Sequence, residues 1–304
     1  MSQTRAGFVA LIGAPNAGKS TLINALVGEK VSIVTRKAQT TRSTVRGVVT
    51  RGDAQIIFVD TPGLFAPKRR LDRAMVASAW AAAADADVLA LLIDAHRAAA
   101  EPDLSEPMRE ILTTLRDSRK PKVLVLNKID AMDREKLLAL SARLNEALRF
   151  DETFMVSALN RDGLDRLLDR LAQMIPESPW LYPEDQIADA PIRSLAAEIT
   201  REKLFERLHD ELPYQATVET DSWKDLPDGS ARVEQTVFVT RESHRKIVIG
   251  EGGRTIKAIG SAARKDIAEA HGGKVHLFLH VKVREGWLDE PERYRAMGLE
   301  FPKG

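Results

Sequence analysis

The chain has no cysteine in 304 residues. That absence excludes a disulfide framework and thiolate chemistry, and it fits a reducing cytosol. Net charge is also nearly missing: 45 Lys and Arg against 44 Asp and Glu leave +1, so only the distribution of charge can point to a partner. The start of the chain has no signal-peptide pattern, because residues 1–5 are polar and the apolar run after them is only a strand long. The most membrane-like window, residues 74–95, is interrupted by Asp85, Asp87 and Asp94, and an unpaired carboxylate in hydrocarbon is costly. That window reads instead as a helix ending near Asp85 and then a strand at 88–93. There is no internal repeat and no low-complexity tract. Length and composition suit two globular domains.

What is present is an alternation. Strands are expected at 8–12, 55–59, 88–93, 122–126 and 153–156, and helices at 20–27, 71–84, 104–116 and 135–148. Such alternation predicts a mostly parallel sheet covered on both faces. Residues 45–50 are the exception, since they can pair antiparallel with 55–59 through the turn Arg51-Gly52-Asp53. Pro176, Pro179, Pro183 and Pro191 lie in an acidic, aperiodic stretch that reads as a linker. Beyond it the pattern changes to a helix at 192–211, strands at 214–220 and 231–240, helices around 249–256 and 258–271, and a strand at 275–283. The fold class expected is an α/β P-loop nucleotide-hydrolase domain (1–175), a linker (176–190) and an α+β domain of order α-β-β-α-α-β (191–304).

Gly13-Ala14-Pro15-Asn16-Ala17-Gly18-Lys19-Ser20 has the form GxxxxGKS between a strand and a helix. Backbone N–H groups of such a loop converge on phosphate oxygens, Lys19 reaches the terminal phosphates, and the Ser20 hydroxyl binds Mg²⁺. Asp60-Thr61-Pro62-Gly63 ends a strand, where a carboxylate holds Mg²⁺ directly or through water and Gly63 can offer its N–H to a γ-phosphate. Asn127-Lys128-Ile129-Asp130 also follows a strand. Guanine presents N1–H and an exocyclic amine to one carboxylate, so Asp130 selects guanine over adenine. Lys128 lies along the base and Asn127 ties loops together. Ser157-Ala158 follows the last strand of this half, where backbone N–H groups can face guanine O6. In residues 37–42, a hydroxyl completes Mg²⁺ coordination only when the γ-phosphate is present, which makes the segment responsive to hydrolysis; Thr41 is preferred to Thr40. Leu64 stands where many switch GTPases carry a water-orienting Gln, so slow intrinsic hydrolysis is expected. Asn16 resembles the asparagine that places K⁺ near the γ-phosphate in some GTPases. A P-loop enzyme acting on adenine nucleotides is the rival reading.

In the second domain, Gly250-Glu251-Gly252-Gly253 is a GxxG between apolar segments. In KH domains such a loop joins two helices and clamps the backbone of single-stranded RNA. Lys246, Arg254 and Lys257 flank it, within a run that also holds Arg241, Arg245, Arg264 and Lys265, and a basic stretch of this kind tracks phosphates. Glu251 would lie near those phosphates and is not counted as a contact. Lys68, Arg69 and Arg70 read as a solvated basic turn. A C-terminal domain that binds protein or membrane instead of RNA is the second rival.

Together GAPNAGKS, QTTR, DTPGLFAPK, NKID, SAL and VIGEGGRTIK, with Ile199-Thr200-Arg201-Glu202-Lys203, Glu211-Leu212-Pro213-Tyr214 and Ala263-Arg264-Lys265-Asp266, resemble the Era GTPases over nearly the whole chain. The resemblance implies a GTPase domain followed by a type II KH domain. It also implies GTP or GDP with Mg²⁺ as ligands, and binding to the 3′ region of 16S rRNA during maturation of the 30S subunit. A cytoplasmic location with partial peripheral membrane association is implied as well. Carried over by position, Gly13, Asn16, Ala17, Gly18, Lys19, Ser20, Thr21, Thr41, Asp60, Gly63, Asn127, Lys128, Asp130, Ser157 and Ala158 belong to the nucleotide site. Lys19, Thr41, Gly63 and Asn16 would serve the reaction itself. Gly250, Gly253, Arg254 and Lys257, with Lys246, belong to the RNA site. Nothing in the sequence demands self-association, so a monomer is expected.

Overall fold

The structure, a computed structural model, describes residues 4–37, 40–101 and 103–302; Ala38 and Gln39 of the expected nucleotide-responsive segment lie outside them. The chain forms two compact units. Residues 1–32, 41–189 and 297–304 make one, and residues 33–40 and 190–296 the other.

The first unit is built on six strands: β1 (Arg5–Ile12), β2 (Val45–Arg51), β3 (Ala54–Asp60), β4 (Val88–Asp94), β5 (Lys122–Asn127) and β6 (Glu152–Val156). Their order is β2-β3-β1-β4-β5-β6. Only β2 runs antiparallel to its neighbour, from Val45 opposite Asp60 to Arg51 opposite Ala54, the hairpin anticipated through Gly52. Every residue of β3 is buried, as the continuous apolar run of a strand covered on both faces requires. One face packs Val9, Phe58 and Val125 against Leu22 and Ile23 of α1 (Lys19–Val27) and Leu171 of α6 (Leu164–Met174). The other packs Ala10, Leu91 and Leu124 against α2 (Arg70–Asp85), α4 (Glu106–Arg116) and α5 (Arg134–Ala147). Two helices lie outside the expected set. α3 (Ala95–Ala100) is a single short stretch capped by the Asp94 carboxylate, which accepts from Arg97 N at 3.1 Å. α6 follows the last strand, with Leu164, Leu167, Leu168 and Leu171 on its buried face. Because β1, β3, β5 and β6 are parallel, their carboxyl ends open at one edge of the sheet, where α/β folds bind ligands.

Residues 176–189 of the proline-rich stretch lie within this unit. Ala6 N donates to Pro176 O at 3.2 Å and Val48 N to Ile187 O at 2.9 Å. Gln55 is wholly buried; its amide donates to Tyr182 O at 2.8 Å and accepts from Leu181 N and Tyr182 N at 2.8 and 2.9 Å.

The second unit has β7 (Ala216–Asp225) antiparallel to β8 (Ala231–Val239), and β9 (Val275–Val283) parallel to β8. α7 (Ile192–Arg207), α8 (Glu242–Ile249) and α9 (Arg254–His271) supply the helices, and α10 (Pro291–Ala296) follows the sheet. Alternate residues of β9, Leu279, Val281 and Val283, join the core formed by Leu204, Val237, Val248 and Ile259. α7 stops at Arg207 rather than 211: Asp210 takes a left-handed conformation, and Leu212, which precedes Pro213, is disfavoured from continuing an α-helix. β7 runs on to Asp225 through a bulge between Thr220 and Ser222. The paired helices also differ from expectation. α8 and α9 span 242–249 and 254–271, and the glycine loop falls between them, because Gly250, Gly252 and Gly253 all have positive φ and interrupt the helix. Among the described residues no helix is long and apolar enough to cross a membrane.

Gln55→Leu removes the partner of three backbone groups at 181–182. It is expected to lower unfolding free energy by about 1–3 kcal/mol and to open residues 176–189 to protease. Urea titration with limited proteolysis checks this; an unchanged midpoint and cleavage pattern would refute it.

Candidate functional site

The loop 13–20 joins β1 to α1. Gly18 takes φ 100°, and a Cβ there would stand 2.3 Å from Asn127 Nδ2, so only glycine lets the two loops meet. Lys19 is buried and folds over the loop, donating from Nζ to Gly13 O and Ala14 O, each at 3.1 Å. Burial lowers its pKa to about 8, against the opposing pull of Asp60. Thr21 lies in the first turn of α1. Asn16 is exposed, with φ 63°, a conformation that asparagine tolerates.

Asp60 closes β3 and has no exposed surface. Its Oδ2 accepts from Ser20 Oγ at 2.7 Å and Ser32 Oγ at 2.8 Å. Thr41 Oγ1 lies 3.0 Å from Ser20 Oγ. Asp60 Oδ1 is buried and has no hydrogen-bond partner among the described residues. Burial raises its pKa, opposed by Lys19 and by the hydroxyls of Ser20, Ser32 and Thr41. An orphaned buried carboxylate oxygen beside two hydroxyls fits a hard, oxygen-seeking divalent cation. Thr40 is turned elsewhere: its hydroxyl lies 2.6 Å from Thr35 Oγ1 and donates to Lys37 O at 2.9 Å. Gly63 is buried beside the loop, and Leu64 N donates to Gly13 O at 3.0 Å. The Leu64 side chain is 3% exposed and packed in the core, so it presents nothing to a water molecule.

Asn127, at the end of β5, binds three motifs into one. Its Nδ2 donates to Ala17 O at 2.9 Å and its Oδ1 accepts from Ala158 N at 3.0 Å. Lys128 has φ 67°, and its ammonium donates to Asn16 O at 2.9 Å and Asp94 Oδ2 at 2.6 Å. Asp130 is exposed and its Oδ1 accepts from Ser157 Oγ at 2.5 Å, which fixes the plane of the carboxylate. The sequence offered the N–H groups of Ser157 and Ala158 to a base. Here they are engaged by Asp162 O, at 3.1 Å, and by Asn127, so the dipeptide holds Asp130 and Asn127 in place. Ser32 and Asp94 are the polar residues that motif reading missed. Asp94 closes β4 as Asp60 closes β3, a signal that was available; Ser32 carries none.

In the second unit Gly250 ends α8, and a Cβ on it would stand 2.3 Å from Thr255 Oγ1. Gly253 precedes α9, which has no side-chain cap, so N–H groups of its first turn face outward, where an anion is favoured. Lys246, Arg254 and Lys257 are exposed around this loop. Glu251 pairs with the Arg254 guanidinium, which partly neutralises the loop.

The model of the 50S ribosome-binding GTPase family matches residues 8–128, and that of the KH domain matches residues 211–288. GTPase Era of Afipia carboxidovorans is 63% identical over 300 residues, covering 99% of this chain and 96% of that protein. GTPase Era of Brucella suis is 59% identical over 301 residues, with 99% and 95% covered. A crystal structure of Era with MgGDPNP and nucleotides 1506–1542 of 16S ribosomal RNA superposes with a TM-score of 0.90 at 37% identity, over 97% of this chain and 99% of that one. An Aquifex aeolicus Era variant bound to GDP and aluminium fluoride gives the same TM-score and identity. The loop 13–20, the Asp130 carboxylate held by Ser157, and a glycine loop between two helices thus occur together in one chain. With relatives of this identity along almost its full length, the protein belongs to the Era family of GTPases.

Proposed function

We propose that this GTPase reads guanine-nucleotide state at the edge of its parallel sheet and binds the 3′ region of 16S rRNA through its KH domain. In this reading it acts in the assembly of the 30S subunit, as a monomer in the cytoplasm. The observation that carries it is the loop 250–253, exposed at Glu251 and Gly252, with exposed Lys246, Arg254 and Lys257 around it, in a chain whose structural relative is bound to 16S rRNA.

Asp130, oriented by Ser157, accepts the two donors on one edge of guanine, and Lys128 flanks the base. Gly13, Ala17 and Gly18 give backbone N–H groups to the phosphates, and Lys19 swings from its own loop carbonyls onto the terminal ones. Ser20, Thr41 and Asp60 would hold Mg²⁺, which when bound would neutralise phosphate charge. Gly63 N–H faces the γ-phosphate, so its loss frees residues 37–42 and the loop after Gly63. With Leu64 in the core, the attacking water is oriented by other groups, and unassisted hydrolysis is slow. Asn16 is the residue that would share K⁺ with the γ-phosphate.

Asp130→Asn is expected to weaken GTP more than about a hundredfold, by loss of two charge-assisted hydrogen bonds, and to raise affinity for xanthine nucleotide. Calorimetry with both nucleotides checks this, and retained GTP affinity would put the base elsewhere. Turnover is expected to rise when K⁺ replaces Na⁺; equal rates remove K⁺ from the site. Lys257→Glu is expected to weaken single-stranded RNA binding and to lower the salt slope by about one. Filter binding across salt would show the RNA site to be misplaced if the variant matched the parent.

A further inference from the structure

Three consecutive residues of α7, Arg201, Glu202 and Lys203, are buried. Charged side chains are almost never fully buried unless paired, and a helix that buries three in a row is doing something other than filling a core. All three are committed to partners in the second unit.

Ile33 is 2% exposed and lies in the core cluster of Ala196, Ile199, Ala263 and Ile267. It anchors the start of the segment that leads to Thr41 within that unit. One residue on, Val34 N donates to Glu202 Oε1 at 2.8 Å. Arg201 donates from Nη2 to Thr40 O and is held by Glu198, whose Oε1 accepts from Nε at 2.8 Å. The guanidinium carbon stands 5.3 Å from the centre of the Phe205 ring. Lys37 donates to Phe205 O and Leu208 O, carbonyls at the C-terminal end of α7, where a cation is favoured. The segment that runs into Thr41 is therefore held at its start, middle and end by one helix.

The other oxygen of Glu202 lies 3.1 Å from Lys203 Nζ. That ammonium is 2.7 Å from Asp266 Oδ2 on α9 and 3.4 Å from Glu206 Oε1. Burial works against the Lys203 charge, and Asp266 and Glu202 outweigh it and raise its pKa. A chain of hydrogen bonds and ion pairs thus runs from Val34, through Glu202 and Lys203, to the helix that begins at Arg254.

We propose that Glu202 and Arg201 are positioning residues for the GTPase reaction, holding residues 33–40 so that Thr41 reaches Ser20, and that Lys203 and Asp266 transmit the state of that segment to α9. The proposal rests on the reading above, in which Thr41 serves Mg²⁺ and the α9 loop binds RNA. The structure holds Val34 on Glu202, and such a relay requires a second state in which that bond is released. GTP, which needs Thr41, is linked to the first, and GDP, which does not, leaves both open. RNA bound at α9 then favours the same state by reciprocity.

The test uses the full chain and two readouts apart from turnover. The first is the affinity for a GTP analogue that resists hydrolysis, set against that for fluorescent GDP. The second is RNA affinity in each nucleotide state. Glu202→Ala is expected to weaken the GTP analogue about tenfold, the worth of one hydrogen bond to a charged group, and to leave GDP within twofold. Glu202→Gln still accepts from Val34 N but loses its charge pair with Lys203, so it is expected to restore the analogue's affinity while keeping RNA binding insensitive to nucleotide. Lys203→Met and Asp266→Asn are expected to abolish that sensitivity without changing GDP affinity, and to do so non-additively when combined. Melting curves identify any variant that has lost its fold, and the remaining three then carry the result. Parent-like selectivity for the analogue in folded Glu202→Ala, or parent-like RNA linkage in folded Lys203→Met, overturns the proposal. Failure of the underlying reading has a different signature: the parent chain itself would then bind neither guanine nucleotide nor RNA, and the relay would fall with it.

Discussion

The nucleotide site depends on one carboxylate kept out of water. Asp60 is fully buried at the end of β3, and burying such a charge is expensive unless it is paired and hydrogen-bonded. Ser20, Ser32 and the buried ammonium of Lys19 supply that compensation, yet Oδ1 is left without a partner among the described residues. The compensating groups come from two places in the chain, with a neighbouring hydroxyl from a third. Ser20 and Lys19 belong to α1, Ser32 stands immediately before the segment 33–40, and Thr41 immediately after it, beside Ser20. Asn24 fixes Ser32, accepting from Val31 N and Ser32 N at 2.9 Å each and donating to Ser32 O at 2.7 Å. The geometry that suits a cation is thus built from the residues that flank the segment 33–40.

Much of this was legible in the sequence, for a physical reason. Phosphate cradling and guanine selection need particular side chains at short spacing, directly after strands. Gly13 to Ser20, Asp60 to Gly63 and Asn127 to Asp130 therefore announce themselves, and parallel strand order brings them to one edge. The role of Asn127 in tying loops followed from its place in the motif. Less legible was whatever depends on contacts distant in sequence. Arg201, Glu202 and Lys203 look like any polar turn of a surface helix, because burial of consecutive charges has no period to detect. Ile33 reads as one more apolar residue. The helices around the glycine loop were displaced by several residues because apolar periodicity continues through Val248, Ile249 and Ile256, while the positive φ of three glycines breaks the backbone.

The glycine loop carries its own counter-charge. Glu251 is paired with Arg254, both of them well exposed. An exposed pair of this type contributes little to stability and is readily exchanged for a phosphate partner. Its effect is on any anion that approaches, which must displace a carboxylate to reach the guanidinium. Leu64 makes a comparable trade in the first unit. Its side chain strengthens the core between the sheet and α2, and the position is lost to catalysis.

The burial of Ile33 among residues of α7 and α9, with Val34 bonded to a side chain 168 positions later, also constrains the order of synthesis. Non-local contacts of this kind can form only after the intervening chain exists, and they come late in folding. As the chain leaves the ribosome, its phosphate loop and base-selecting motifs are complete long before α7 and α9. A partly made chain thus has no partner yet for Ile33 or Val34. The contacts of Ile33 and Val34 close only once α7 and α9 have been made, so this early segment is among the last parts of the newborn protein to settle.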